Sequence, residues 1–370
     1  MNTQLVTAAV ALKARHTELR EFPMPDIPAD AGVLRVSVTG VCGSDWPIYL
    51  NDKAGPRILG HEMIGTVEML GPLAFERWGL KLGDRVALEE YLPCGHCHFC
   101  RTAEYRSCPE TDAQRFGAVR YGSTPVNKRP SLWGGYSQFV YLHPRSVFHR
   151  LPSADVIPDR IAAMALPIGN GFQWAYLDGG AGPGKTVIIQ GPGQQGLGCV
   201  IAAKAAGASC IIVSGLARDA DRLDVAKALG ADHVVAVDQQ DLRAEVERIT
   251  SGRMADLVID VAGGGPEIFN NSLALLHRLG VFQTSVRRRA PLNNFDIDQL
   301  VTKQVTFRGM RGHSFQAVEL ALRTMQEGKF PLHLMTTHLM GLHEVDAALR
   351  MVGGQTEERS IHISVDPWKT

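Results

Sequence analysis

The chain has 370 residues, 45% hydrophobic and 21% charged, with 38 basic side chains matched by 38 acidic ones. That balance leaves no global field to steer the protein to nucleic acid or an anionic membrane, and no apolar run reaches the roughly 18–20 residues that span a bilayer. The length exceeds one ordinary core and implies two domains or one with a large insertion.

In chain order, Met1-Asn2-Thr3-Gln4 lacks the basic-then-apolar layout of a secretory signal. The N-terminal stretch then reads as strand-rich: Val6–Leu12, Val33–Thr39, Met63–Leu70, Arg85–Glu89 and Tyr136–Leu142 carry β-branched or aromatic residues. Pro23-Met24-Pro25 and Gly83-Asp84 punctuate them as turns. From Pro158 the texture changes. Ile161–Leu177 is apolar at helical spacing and is interrupted by Pro167 and two glycines. Short apolar strands follow at Val187–Gln190, Cys210–Ser214, Val234–Val237, Leu257–Val261 and Val281–Ser285. Helical stretches Gly196–Ala206, Asp219–Leu229 and Glu267–Leu279 alternate with them. This rhythm predicts a doubly wound parallel sheet. Beyond Arg308, helices are expected near Phe315–Gln326 and His343–Met351, and strands near Leu332–Leu339 and Ile361–Val365. The reading gives an α/β chain with a β-rich domain over 1–157, a parallel-sheet domain over 158–308, and a tail, 309–370, that returns to the first domain.

Three stretches carry chemistry. Gly40-Val41-Cys42-Gly43-Ser44-Asp45 and, shortly after, Gly60-His61-Glu62 offer a thiol, an imidazole and carboxylates, a donor mix that suits zinc. Four of the seven cysteines, Cys94, Cys97, Cys100 and Cys108, form a Cys-x-x-Cys-x-x-Cys-x7-Cys loop. That spacing is expected to close a tetrahedral structural zinc in a reducing compartment, for which the cytoplasm is the default. The seven-residue gap separates it from iron–sulfur patterns. His96 and His98 are expected to be solvated, since four thiolates complete the shell. The third stretch, Gly191-Pro192-Gly193-Gln194-Gln195-Gly196, follows a strand and opens a helix, the context of a dinucleotide fingerprint. Gly191 allows the tight turn, Gly193 the approach of pyrophosphate, and Gly196 close helix–strand packing. Gln194 and Gln195 begin a helix whose N-terminal N–H groups face the phosphates. At the end of the second strand, Ser214-Gly215 replaces the carboxylate that an NAD site places there. Arg218 or Arg222 is available to a 2′-phosphate, so the reading leans to NADP over NAD.

Together with Gly83-Asp84-Arg85-Val86, these motifs resemble, in order and spacing, the zinc-containing medium-chain alcohol dehydrogenase family over nearly the whole chain. The resemblance implies a GroES-like catalytic domain completed by the C-terminal tail, a Rossmann domain, and homodimers or homotetramers. It also implies reversible hydride transfer between an alcohol or carbonyl carbon and nicotinamide C4. Cys42 and His61 match the first two catalytic-zinc ligands. Glu62 matches a glutamate that in relatives sits behind the metal or binds it, and Ser44 matches the hydroxyl that exchanges a proton with the substrate. Asp260-Val261-Ala262-Gly263-Gly264 matches the turn near the nicotinamide half.

Two positions depart from the pattern. The third ligand position, before the Rossmann strand, is Leu166, and the histidine that continues the proton relay is replaced by Pro47. Glu62 completing a Cys42/His61/Glu62 set is the favoured explanation. Asp45 serving instead, or a metal-poor site as in zinc-free quinone and enoyl reductases, are the alternatives, although those relatives commonly lack the four-cysteine lobe. A non-catalytic nucleotide-binding protein is a further alternative, because fold does not guarantee function. Lesser expectations place Asn170 in packing or a cap rather than against cofactor, Arg287-Arg288-Arg289 in solvent, and Cys199 and Cys210 in the core. Trp46, Tyr49, Phe116 and Trp133 are assigned equally to core or substrate pocket, and 115–132 to a loop bordering the cleft.

Overall fold

The computed structural model describes residues 4–12, 15–51, 55–112, 115, 117–288, 291–292 and 294–370; Met1 to Thr3, Phe116 and Arg289 lie outside them. The chain forms two compact units, Met1–Leu166 with Thr336–Thr370, and Pro167–Met335.

The first unit is built around β3 (Gly32–Gly40) and β5 (Glu62–Leu70), which pair antiparallel from Gly32↔Leu70 to Gly40↔Glu62. β5 continues to β6 (Arg85–Leu88) and β8 (Phe148–Arg150), and β3 also pairs with β7 (Phe139–Leu142). The tail adds β15 (Thr336–Met340) and β16 (His362–Val365), the latter antiparallel to β3 at Ser364↔Gly40. A second sheet joins β2 (His16–Pro23), β1 (Leu5–Leu12) and β4 (Arg57–Ile58). β2 has no sequence signature of its own. HTELREFP is charged and has no buried residue, and it is held in register by β1 from Leu5↔Pro23 to Leu12↔His16.

The second unit is a parallel sheet of β9 (Thr186–Gln190), β10 (Cys210–Gly215), β11 (His233–Ala236), β12 (Ala255–Asp260), β13 (Leu276–Thr284) and β14 (Thr306–Gly309). Its spatial order β11-β10-β9-β12-β13-β14 is the doubly wound order, and β9 and β12 are buried throughout, as parallel strands covered on both faces must be. The helix expected over Glu267–Leu279 stops at Leu275, because Leu276 is fully buried where β13 begins alongside Ala255. Sheet pairing there overrides helical periodicity. The Ile161–Leu177 stretch does break, into short helices Asp159–Ala162 and Ala165–Gly171 and then a π-helical segment Phe172–Asp178. A Cβ on Gly171 would overlap the Gly198 backbone, so this pair lets two helices touch main chain to main chain.

The units part at Leu166/Pro167 and Met335/Thr336, not at 157/158 and 308/309. Residues 309–335 stay with the second unit because β14 pairs with β13. The helix Phe315–Gln326 also buries Ala317, Val318, Ala321, Leu322 and Met325, with Val318 against Gly169. Of the strand expected at Leu332–Leu339, Leu332–Met335 is a 3-10 turn.

Asp256 staples the N-terminal ends of the central strands. It accepts from Thr186 N–H at 2.9 Å and lies 3.1 Å from Lys185 Nζ, 3.1 Å from Arg253 and 2.9 Å from His277 Nε2. Burial pushes this carboxyl up, but the bonds from Thr186, His277 and Lys185 outweigh it and hold the group at about 2. A depressed carboxylate contributes stability that is present above its unfolded value near 4 and is lost as pH falls towards 2. Chemical unfolding of wild type and Asp256→Asn from pH 7 downwards should therefore show a stability gap that narrows below about pH 4. A gap independent of pH would show that the charge of Asp256 contributes nothing.

Candidate active site and dinucleotide turn

The antiparallel pairing of β3 with β5 brings Cys42 to His61 and Glu62. β3 ends at Gly40, opposite Glu62, and the loop that follows carries Cys42 and Ser44 into a short helix, Asp45–Tyr49. A Cβ on Gly40 would lie 2.5 Å from Glu62 Oε2 and 2.7 Å from His362 Cε1, so glycine leaves the space that the carboxylate fills. Gly60, at φ +84°, sits where a side chain would strike Thr39 and the Tyr136 ring, and its left-handed turn directs His61 inward. One donor atom each from Cys42, His61 and Glu62 lies within 4.8 Å of the others.

Asp45 is fully buried and is not part of this donor group. Its Oδ1 accepts from His61 Nδ1 at 3.1 Å, while Oδ2 accepts from Tyr136 OH at 2.8 Å and from Cys42 N–H at 3.3 Å. The carboxylate thus fixes the imidazole so that Nε2 faces the thiol side, where Ser44 Oγ stands 3.4 Å from Nε2 and 3.3 Å from Cys42 Sγ. Burial opposes a charge on His61, yet the Asp45 carboxylate, with Glu90 and Cys42, holds its pKa well above the ordinary imidazole value. Burial, and then the nearby Glu62 charge, push the Cys42 thiol up. A sulfur, an imidazole nitrogen and a carboxylate oxygen are a donor set that fits a divalent cation, which would favour the thiolate that burial and Glu62 oppose. Three protein donors also leave a fourth tetrahedral position open. Leu166 is buried and offers no donor atom.

Donor atoms of Cys94, Cys97, Cys100 and Cys108 likewise lie within 4.8 Å of one another. The Cys94 thiol is lowered to about 6, chiefly by the His96 backbone N–H, while burial raises Cys100 to about 12. The backbone N–H of Cys97 points at Cys94 Sγ, 3.4 Å away, and that of Cys94 at Cys108 Sγ, 3.3 Å away, which suits a thiolate cage. His96 and His98 lie outside this donor group: His96 Nδ1 is 3.0 Å from the Cys94 carbonyl and the His98 ring stands edge-on to Phe99. Tyr105 anchors the lobe by donating 2.7 Å to Glu89 Oε1, and fully buried Glu89 is paired with fully buried His149 at 3.0 Å.

In the second unit, Gly191 turns at φ +109° with Ala262 against it. Gly193 has open space where its side chain would be, and a Cβ on Gly196 would overlap the Gly191 carbonyl. Each glycine therefore has the geometry that the fingerprint requires. The helix Gln194–Ala205 follows Gly193 and starts without a side-chain cap. Ser214 is buried at the end of β10, and Gly215 packs so closely on Pro192 that a Cβ would lie 2.9 Å from its ring. Its small size thus has a packing cause as well. Arg222 is paired with Asp219 at 3.2 Å, whereas Arg218 is exposed and makes no ion pair among the described residues.

Sequence patterns missed three groups here. Asp238, just past β11, accepts from Ala217 N–H at 2.7 Å on the same rim, and His313 is buried beside Asn170. Arg288, expected in solvent, is 4% exposed: it pairs with Asp260 at 2.8 Å and its Nε donates to Gly265 O at 3.0 Å. The Arg288 hydrogen bonds to the Gly265 and Ala262 carbonyls hold the 262–265 turn, and only the long-range pairing of Arg288 with a strand end reveals it. Among the aromatics, Trp133 and Tyr49 belong to the core and Trp46 packs against it, with its ring beneath Gly353. Cys199 is buried and Cys210 packs on the core of the second unit.

Comparison with known proteins agrees with this geometry. Residues 29–153 match the alcohol dehydrogenase GroES-like domain, and residues 196–327 match the zinc-binding dehydrogenase family. A Mycobacterium tuberculosis protein described as a probable alcohol dehydrogenase is 35% identical over 366 residues, covering 96% of this chain and 97% of its own. Sorbitol dehydrogenase of Bacillus subtilis is 33% identical over 303 residues, 78% of each chain. The crystal structure of an alcohol dehydrogenase from Thermotoga maritima superposes with a TM-score of 0.85 at 25% identity, covering 98% of this chain and 99% of that one. The chain belongs to the zinc-containing medium-chain dehydrogenase family and is an oxidoreductase of the alcohol dehydrogenase type.

Proposed function

We propose that Cys42, His61 and Glu62 hold a catalytic zinc, that Ser44 carries the substrate proton, and that Cys94, Cys97, Cys100 and Cys108 hold a second, structural zinc. The supporting observation is the Cys42/His61/Glu62 donor group, with Asp45 locked on the far nitrogen of the imidazole. When bound, the zinc polarises an alcohol or carbonyl oxygen as a Lewis acid, and the nicotinamide accepts or supplies the hydride. Ser44, exposed beside the donor group, takes the proton from an alcohol in oxidation and returns it in reduction. Its exposure lets it exchange that proton directly with water, so Pro47 in place of a relay histidine need not halt the cycle. Asp45 keeps His61 in one orientation and one tautomer.

For the dinucleotide we favour NADP(H), on the strength of exposed Arg218, just past β10 and without an ion pair among the described residues; the Asp238 carboxylate on the same rim is the feature that opposes it. The substrate is a small alcohol or carbonyl compound, and polyols belong in the first screen because a sorbitol dehydrogenase is among the relatives. A homodimer or homotetramer is supported by β14. Among the described residues it is the last strand of its sheet and is exposed along Thr306–Gly309, and an open strand edge invites a second copy. Seven unpaired thiols suit the reducing cytoplasm. No helix of the described residues is long and apolar enough to cross a membrane.

Metal analysis should find about two zinc ions per chain, and Cys42→Ala should lose one of them. A single zinc in wild type, or unchanged content in the variant, would remove Cys42 from the site. Asp45→Asn should weaken the second zinc by about 10- to 100-fold while sparing the lobe; equal zinc affinity would show that His61 orients without Asp45. Arg218→Ala should weaken NADPH binding about tenfold or more and leave NADH within about twofold. Unchanged NADPH affinity would point to NAD(H).

A further inference from the structure

The dinucleotide turn has a buried polar support behind it. His313, 2% exposed in the loop before the helix Phe315–Gln326, brings Nδ1 to 2.8 Å from Asn170 Oδ1. Asn170 Nδ2 then donates to Gln195 Oε1 at 3.1 Å, and Gln195 lies in the first turn of the helix that follows Gly193. The loop is clamped on both sides: Trp174 Nε1 donates to Gly312 O at 2.9 Å and Ser314 N–H donates to Gln173 Oε1 at 3.0 Å. Gly171 and Gly198 bring the two helix backbones into contact beneath the chain of bonds.

Donor chemistry gives the chain a direction. An amide oxygen only accepts, so His313 Nδ1 must carry the hydrogen. Asn170 then spends its oxygen on His313 and an N–H on Gln195 Oε1, which leaves the Gln195 amide nitrogen turned away from Asn170. That nitrogen has no partner among the described residues, and Gln195 is half-exposed beside the open space over Gly193. A buried histidine that merely satisfies a core amide would not need to end on an outward donor at a helix N-terminus. We propose that His313 is a positioning residue which, through Asn170, aims the Gln195 amide N–H groups at the bound nicotinamide dinucleotide. Hydrogen-bonded chains of this kind strengthen link by link and fix amide orientation.

The inference rests on the reading of the Gly191–Gly196 turn as the dinucleotide site, and fluorescence titration of the full-length protein with NADH and NADPH separates the two. Gln195→Ala and His313→Leu should each weaken the better-bound dinucleotide by about five- to tenfold. His313→Gln, which restores an N–H donor, should recover affinity to within about twofold of wild type. The double variant Gln195→Ala/His313→Leu should bind no more weakly than Gln195→Ala alone, because both changes remove one contact. Wild-type affinity in His313→Leu, no recovery in His313→Gln, or losses that multiply in the double variant would overturn the role of His313. Wild type that binds neither dinucleotide, or Gly193→Val that binds as wild type does, would instead overturn the reading of the turn and this inference with it.

Discussion

The buried Asp45 carboxylate organises the first unit's functional edge. A fully buried charge is tolerated only when its oxygens are satisfied, and Asp45 achieves this with His61, Tyr136 and the Cys42 backbone, drawn from three separate parts of the chain. Each partner lost leaves the buried carboxylate less satisfied, so it ties the loop after β3, the residue before β5 and the segment before β7 into one arrangement. The orientation of His61 follows from that requirement. So does the approach of Cys42 to Glu62, because the N–H that Asp45 accepts belongs to Cys42 itself.

Both cysteine-bearing sites gather metal-type donor atoms within 4.8 Å of one another. Around Cys42, burial and then the Glu62 charge push the thiol up, so a cation placed there would favour the thiolate. In the lobe, backbone N–H groups already favour the Cys94 thiolate. The sites differ in what remains available. Four sulfurs would complete the shell of an ion in the lobe, and the Tyr105–Glu89–His149 cluster holds the lobe, which suits a structural element. The Cys42 site offers three protein donors with an exposed hydroxyl alongside, which suits chemistry.

Much of this was legible in the sequence. The doubly wound sheet follows from the alternation of short apolar strands with helical stretches, and the two donor groups follow from motif spacing. Strands such as β2 and β14 were not legible, because charged or exposed sequences become strands only through their neighbours. The helix end at Leu275 was misplaced for the same reason, since burial of Leu276 beside Ala255 is a non-local fact. Within the site, Asp45 could be seen as acidic and close to Cys42, but not as the orienter of His61, since that depends on Tyr136 arriving from far along the chain. Arg288 shows the reverse error: three consecutive arginines suggest solvent, yet the middle one is buried on Asp260. Gly215 teaches caution of a third kind, for its smallness serves Pro192 as well as any phosphate.

Leu166 offers no donor atom, so the proposed catalytic zinc depends on Glu62 as its third protein ligand. Diffraction from zinc-loaded crystals at energies on either side of the zinc absorption edge tests it most directly. The proposed zinc sites predict one anomalous peak inside the four-cysteine lobe and a second bonded to Cys42 Sγ, His61 Nε2 and a Glu62 carboxylate oxygen. A lobe peak alone, or a second peak that Glu62 does not touch, would contradict it.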